Sequence, residues 1–326
     1  MTGRKLTEEG EYRDGFYVTP QAKRLWNVQL QMLQRLLEVC EKHNLKVFLS
    51  GGTLLGAVRH KGYIPWDDDI DVDMPREDYD KLVALAPAEF KDPYFFQCAY
   101  TEDGYYRGHA QIRYKGTAQV LPHEVYSDFN QGIFLDIFVL DHVPDTPKQW
   151  HKVVRQTKYI QTFLWFRKNK YMFFLKPMKW VKSYLRVLFM GISWSTPDRE
   201  LFQRYEDILR NPAYRDCKRI GCLCLAPSRK NESWFFDRHC FDESVYLDFE
   251  YMKFPAPAGY HAVLTTLYGD YMTPVQCPSM HGDTLSSADE DYTKVLKRER
   301  KPLLRLIGAT YKKRFMKLPK KLFGHK

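Results

Sequence analysis

No run in this 326-residue chain is long and apolar enough to cross a bilayer. The best stretch, residues 183–194 (SYLRVLFMGISW), is shorter than the ~20 apolar residues a spanning helix needs, and it carries Arg186. The opening MTGRKLTEEGEYRDG has no apolar core segment, so no export signal is expected. Cysteine is sparse, odd in number at seven, and not in paired C-x2-C spacing. Cys217, Cys222, Cys224 and Cys240 follow C-x4-C-x-C-x15-C, which fits ordinary thiols in a reducing cytoplasm better than a zinc knuckle or disulfide frame. Internal repeats and low-complexity linkers are absent. Acidic residues are missing from residues 146–197, which hold eleven Lys/Arg, and nearly so from 294–326, where thirteen Lys/Arg face Glu299 alone. These segments carry net +11 and +12 within an overall +10, so the remaining body is at −13. An acidic body with two basic segments points to an anionic surface as a partner. With no nucleic-acid-binding motif, that surface is expected to be a membrane, and the protein cytoplasmic or peripheral on the membrane's cytoplasmic face.

What the chain does have is concentrated in residues 50–80, SGGTLLGAVRHKGYIPWDDDIDVDMPREDYD. Asp67, Asp68, Asp69, Asp71 and Asp73 fall within seven residues. A strand here would place Asp67, Asp69, Asp71 and Asp73 on one face. Like charges so placed repel, and a hard divalent cation with oxygen ligands is the natural counterweight. A solvated acidic turn is the plainer alternative. Upstream, a short strand at 46–49, a Ser50-Gly51-Gly52 turn and a helix from Thr53 form an anion site, with free backbone N–H groups at the helix start and glycine allowing close approach.

Residues 20–44 read as an amphipathic helix with Thr19 as its N-cap and Pro20 in its first turn. Residues 132–140, GIFLDIFVL, read as a buried strand containing one acid, Asp136, which is costly unless paired or metal-bound. Residues 147–193 are helical in pattern, basic and aromatic. They read either as a hairpin packed on the body with snorkelling lysines or as a surface for a membrane or a lipid-linked substrate. The expected parts are a catalytic core over 1–145, the basic aromatic insertion over 146–197, a part completing the core over 198–293, and a basic amphipathic tail over 294–326.

The run GGTLLGAVRHKGYIPWDDDIDVDMPREDYD resembles the signature of the LicD family, which includes fukutin-related proteins and belongs to the nucleotidyltransferase superfamily. The likeness extends more loosely to GIFLDIFVLD and to FPAPAGY…LYGDYM. It implies an α+β fold: a nucleotidyltransferase-like core of a small mixed sheet flanked by helices, with a basic aromatic helical insertion and a C-terminal helical region. It implies transfer of phosphocholine or a related phospho-alcohol, such as ribitol phosphate, from a CDP-linked donor to a cell-surface glycan, lipid-linked or free. Carried over by position, Gly51, Gly52 and Thr53 take the phosphate turn. Asp69 and Asp71 take the Asp-x-Asp pair and Asp136 the third acid, as ligands of Mg2+ (one ion or a pair, Mn2+ being the alternative). Asp71 with Asp73 also satisfies the pattern.

The chemistry agrees. Two cations about 4 Å apart clamp the attacking and leaving oxygens of an in-line displacement. Asp136 is also the first choice to accept the hydroxyl proton. Arg59, Lys61 and Arg113 are candidates to neutralise donor phosphates, against the alternative of surface charges. Trp66 could stack on the base or face choline, or belong to the core. His281 follows YGDYM at a spacing seen in the family, with Asp283 close by, although CPSMHGD lacks the basic residue and second His that accompany that position. The competing readings are a nucleotidyltransferase that transfers NMP and a non-catalytic binding protein of a glycan-assembly complex.

Overall fold

The computed structural model describes residues 5–168, 177–225, 233–276 and 284–300. A hairpin of β1 (Glu11–Arg13) and β2 (Phe16–Val18) leads into α1 (Pro20–Lys42). Thr19 caps α1, its hydroxyl accepting from the Ala22 N–H at 3.2 Å. Then come β3 (Phe48–Leu49), α2 (Gly51–His60), β4 (Asp71–Pro75) and α3 (Arg76–Glu89). β5 (Tyr94–Gln97), β6 (Ala110–Tyr114), β7 (Ala118–Val120) and the long β8 (Ile133–Val143) follow. Three helices succeed them: α4 (Pro147–Lys168), α5 (Pro177–Leu188) and α6 (Asp198–Leu209). The chain returns through β9 (Arg219–Gly221) and β10 (Phe235–Asp237), then the hairpin of β11 (Ser244–Phe249) and β12 (Met252–Pro257). The last described elements are α7 (Tyr260–Tyr268), β13 (Leu285–Ser287) and α8 (Tyr292–Glu299). The fold is α+β.

The principal sheet has seven strands and is mixed. β8 is its axis. β4 runs parallel along one side of it, while β6 and β9 pair antiparallel with its first and last parts on the other. β3 extends the sheet beyond β4, β5 beyond β6 and β10 beyond β9. β8 is buried along almost its whole length, which is why it reads as a continuous apolar run. α1 packs across β6 and β8, and α3 across β4 and β8, enclosing the main core.

The four-carboxylate strand face does not form. The strand begins only at Asp71, and Asp67, Asp68 and Asp69 sit in the loop before it. The backbone explains this: the Asp67 carbonyl accepts from Trp26 Nε1 at 3.0 Å and the Asp68 carbonyl from Gln29 Nε2 at 2.9 Å. Side chains, not a neighbouring strand, hold that segment.

The insertion shares a second apolar cluster with α6 and with Val143 of β8 and Phe235 of β10. Trp150, Val153, Ile160 and Phe163 of α4 meet Val187 of α5 and Leu201, Phe202 and Tyr205 of α6. Among the described residues no helix is long and apolar enough to cross a membrane. Residues 301–326, the larger part of the expected basic tail, lie outside the described residues.

Candidate functional site

The site grows from the β3–α2 turn. No side chain caps α2 at Ser50, and the helix starts at Gly51 with φ +51°, a left-handed conformation suited to glycine. A Cβ at Gly51 would come within 3.2 Å of Asp71 Oδ2, and one at Gly52 within 2.7 Å of Asp67 Oδ2. The carboxylates therefore gather over the positive end of α2. The Thr53 hydroxyl accepts from the Asp71 N–H at 2.9 Å, and the Ser50 N–H donates to the Asp71 carbonyl at 3.0 Å. These two bonds lock the helix start to the start of β4.

The third acid arrives through sheet register. In the parallel β4–β8 ladder Asp71 stands opposite Asp136, and the Asp136 N–H donates to the Ile70 carbonyl at 2.9 Å. Asp69 and Asp71 both have carboxyl pKa values raised well above the ordinary range. Burial is the largest cause for each, followed by the Asp71 charge for Asp69 and the Asp136 charge for Asp71. Burial also works against the Asp136 carboxylate, but His109, Arg107 and Gln111 outweigh it and hold that pKa below its usual value. His109 Nε2 lies 3.3 Å and Gln111 Nε2 2.6 Å from Asp136 Oδ1. Ligand oxygens of Asp67, Asp68 and Asp69 lie within 4.8 Å of one another. The arrangement is an all-oxygen, anionic basin beside a helix N-terminus, a donor set suited to a hard divalent cation.

Asp73 points elsewhere. It is buried within β4, accepts from Cys222 Sγ at 3.3 Å, and bonds to Ser50. Burial pushes its carboxyl up to about 6, with Ser50 and Cys222 pulling the other way. The six described cysteines are free thiols.

The family model described as LicD/FKTN/FKRP, nucleotidyltransferase domain, matches residues 44–199, which include the α2 turn, the Asp loop and Asp136. The chain is 30% identical over 245 residues to the lipopolysaccharide cholinephosphotransferase LicD of Haemophilus influenzae, covering 75% of this chain and 89% of that protein. The chain belongs to the LicD family. It is also 33% identical over 129 residues to an uncharacterized protein of Rickettsia prowazekii, covering 40% of this chain and 45% of that one. A 61-residue match at 48% identity to an uncharacterized protein of Rickettsia typhi covers 19% of each.

The other residues singled out in this LicD-family chain scatter. Arg113 lies on β6 and is fully enclosed, donating to Gln97 Oε1 at 2.8 Å and to the Gly132 carbonyl at 2.7 Å, with its guanidinium 4.9 Å over the Phe134 ring. Burial lowers its pKa to about 10. It is an interior cation on the same face of the sheet as Gln111 and Asp136, not a surface charge. Lys61 is the left-handed C-cap of α2, at the opposite end from the carboxylates, and is exposed. Arg59 donates to the Tyr271 carbonyl at 3.1 Å and to His60 Nε2 at 2.8 Å. Trp66 is half-buried and packs edge-on against Phe16 and His60. His281 and Asp283 lie outside the described residues.

Several residues at the site carry no motif signal. Gln29, Gln97, Gln111 and Gln119 are all fully buried. Gln119 Nε2 joins Gln29 on the Asp68 carbonyl at 3.1 Å, and its Oε1 accepts from the Phe134 N–H at 3.2 Å. An amide layer can hold a carboxylate loop in place without adding charge. Tyr268, from the YGDYM segment, faces the same basin: burial and then the Asp71, Asp67 and Asp69 charges raise its hydroxyl pKa.

Proposed function

We propose that this protein transfers a phospho-alcohol of the phosphocholine type from a CDP-linked donor to a hydroxyl of a cell-surface glycan, with Mg2+ held by Asp69, Asp71 and Asp136. The observation that carries the reading is the meeting of Asp71 and Asp136 across a parallel ladder, over the uncapped start of α2. Kinship with a lipopolysaccharide cholinephosphotransferase supports the choice of transferred group. When bound, the cation would withdraw charge from the phosphoryl oxygens and reduce their repulsion of an incoming hydroxyl.

The chain's own residues do the rest. The N–H groups of Gly51, Gly52 and Thr53 receive donor phosphate at the helix start. Asp136, kept ionised by its neighbours, accepts the acceptor's proton. The acceptor oxygen bonds to phosphorus as the phosphorus–oxygen bond to CMP breaks, and CMP leaves with the bonding electrons. Phosphorus NMR of a reaction containing CDP-choline, Mg2+ and deacylated lipopolysaccharide tests this. Free CMP and a new phosphodiester on the glycan are expected. A cytidylylated glycan with free phosphocholine would mean NMP transfer, and no release from any CDP-alcohol would sink the proposal.

We further propose that α5 meets anionic membrane. Met178, Val181, Leu185 and Phe189 form an outward apolar stripe, flanked by Lys179, Lys182 and Arg186, while Ser183 and Val187 pack inward. Sedimentation with anionic liposomes at low salt should pellet the wild type and leave Leu185→Glu/Phe189→Glu largely in the supernatant. Equal recovery of the two would contradict it.

A further inference from the structure

A cavity of about 490 Å³ opens beside the carboxylate basin, bounded by the loops around residues 103–109 and 121–129 and by α4 of the insertion. Its size lies in the range of ordinary ligand pockets. His109 links the two spaces, lining the cavity while its Nε2 rests 3.3 Å from Asp136 Oδ1. A second cavity of about 390 Å³ shares Tyr106, Arg107, His109 and Trp165 with it, so α4 presents Trp165 to both.

The lining combines flat rings with ionised groups that are already matched. Arg107 pairs with Glu124 and lies 5.2 Å and 5.8 Å over the Tyr105 and Phe129 rings. Lys168 pairs with Asp103 at 2.9 Å. No strong net charge is left to draw in a pyrophosphate, and the Arg107 guanidinium already occupies the ring faces that a ligand cation would seek. Unused hydrogen-bonding capacity remains: the Tyr105 hydroxyl and Glu124 Oε2 are buried without a hydrogen-bond partner. An orphaned buried polar atom is costly, which favours a ligand that brings hydroxyl groups. Trp165, 44% exposed, offers a large ring face at the rim.

We infer that this cavity is the acceptor subsite and takes an uncharged sugar segment of the acceptor glycan, whose attacking hydroxyl enters past His109 toward Asp136. The inference rests on the transferase reading for the reaction but on the cavity for the ligand. It makes the helical insertion the wall that selects the acceptor.

The test has a kinetic arm and a binding arm, both on the full chain. With CDP-choline and deacylated lipopolysaccharide, Trp165→Ala and Tyr106→Ala should each raise the acceptor KM at least tenfold and shift the donor KM far less. A donor KM rise as large as the acceptor's would assign the cavity to the donor's alcohol and overturn the inference. So would an unchanged acceptor KM in both folded variants. Calorimetric titration with deacylated lipopolysaccharide alone, without donor or metal, should show binding by the wild type that weakens at least tenfold in Trp165→Ala. Binding that is equal in the two overturns the inference. If the wild type binds the oligosaccharide at this site but releases no CMP, the transferase reading fails and the subsite stands.

Discussion

Replacing Gln29 with Leu should disable the site from beneath while removing none of its carboxylates. Gln29 is fully buried on α1. Its Nε2 donates to the Asp68 carbonyl at 2.9 Å, and its Oε1 accepts from the Tyr63 hydroxyl at 3.0 Å. Leu nearly conserves volume, so the packing cost is small. The polar cost is larger. The Tyr63 hydroxyl keeps a 3.5 Å contact with the Trp26 carbonyl, and the Asp68 carbonyl keeps its bond from Gln119 at 3.1 Å. Leaving such groups undersatisfied costs about 1–3 kcal/mol, which urea unfolding should register as a lower midpoint at unchanged slope. Catalysis should suffer more than stability, because a shift of about 1 Å in a positioned group can cost roughly 100-fold in rate. CMP release should therefore fall through kcat at temperatures where the variant is fully folded. Wild-type kcat together with wild-type stability would refute the idea that the glutamine layer positions the acidic loop.

Two further outcomes follow from named contacts. Arg76 forms a forked pair with Asp141 at 2.7 and 3.0 Å and reaches Glu206 at 3.2 Å, joining α3, β8 and α6. Arg76→Met strands the buried Asp141 carboxylate, leaving Glu206 to Arg210 and the Tyr100 hydroxyl, and should lower unfolding stability by about 3–5 kcal/mol; a loss under 1 kcal/mol by urea titration would contradict the network's role. Gly52→Ala drives a Cβ against Asp67 Oδ2 at the helix start, so Mg2+ affinity measured by calorimetry should drop with little change in stability. Unaltered affinity would argue that Asp67 moves aside freely.

Much of the fold could be read from local pattern, because local pattern was its cause. Thr19-Pro20 starts α1, and the apolar run at 132–140 became β8, with Asp136 in register with Asp71. The β1–β2 hairpin was missed although Asp14-Gly15, both at positive φ, is a strong hairpin-turn dipeptide. The β11–β12 hairpin offers no such cue, since its turn places Glu250 at φ +54°. At the site, the two acids picked out by pattern, Asp71 and Asp136, stand in register on neighbouring strands, whereas charge says little about where Arg113 lies. That side chain is interior because Gln97 and the Gly132 carbonyl, distant in sequence, converge on it. Asp73 differs from Asp71 by two residues yet turns to Ser50 and Cys222, a distinction set by β3 and the chain entering after β9. The buried glutamines have no spacing rule at all; their partners, backbone groups together with the side chains of Tyr63, Arg113 and Asp136, are brought near only by the tertiary fold.

Under the proposed function, the acids at the start of α2 hold the cation that transfer from a CDP-alcohol needs. The most direct measurement is Mg2+-dependent CMP release from CDP-choline, with acceptor present, by wild type and by Asp71→Asn. Release by the wild type should stop on chelation, and a folded Asp71→Asn should release none. Release that survives in Asp71→Asn, or that is indifferent to the metal, would contradict the proposed function.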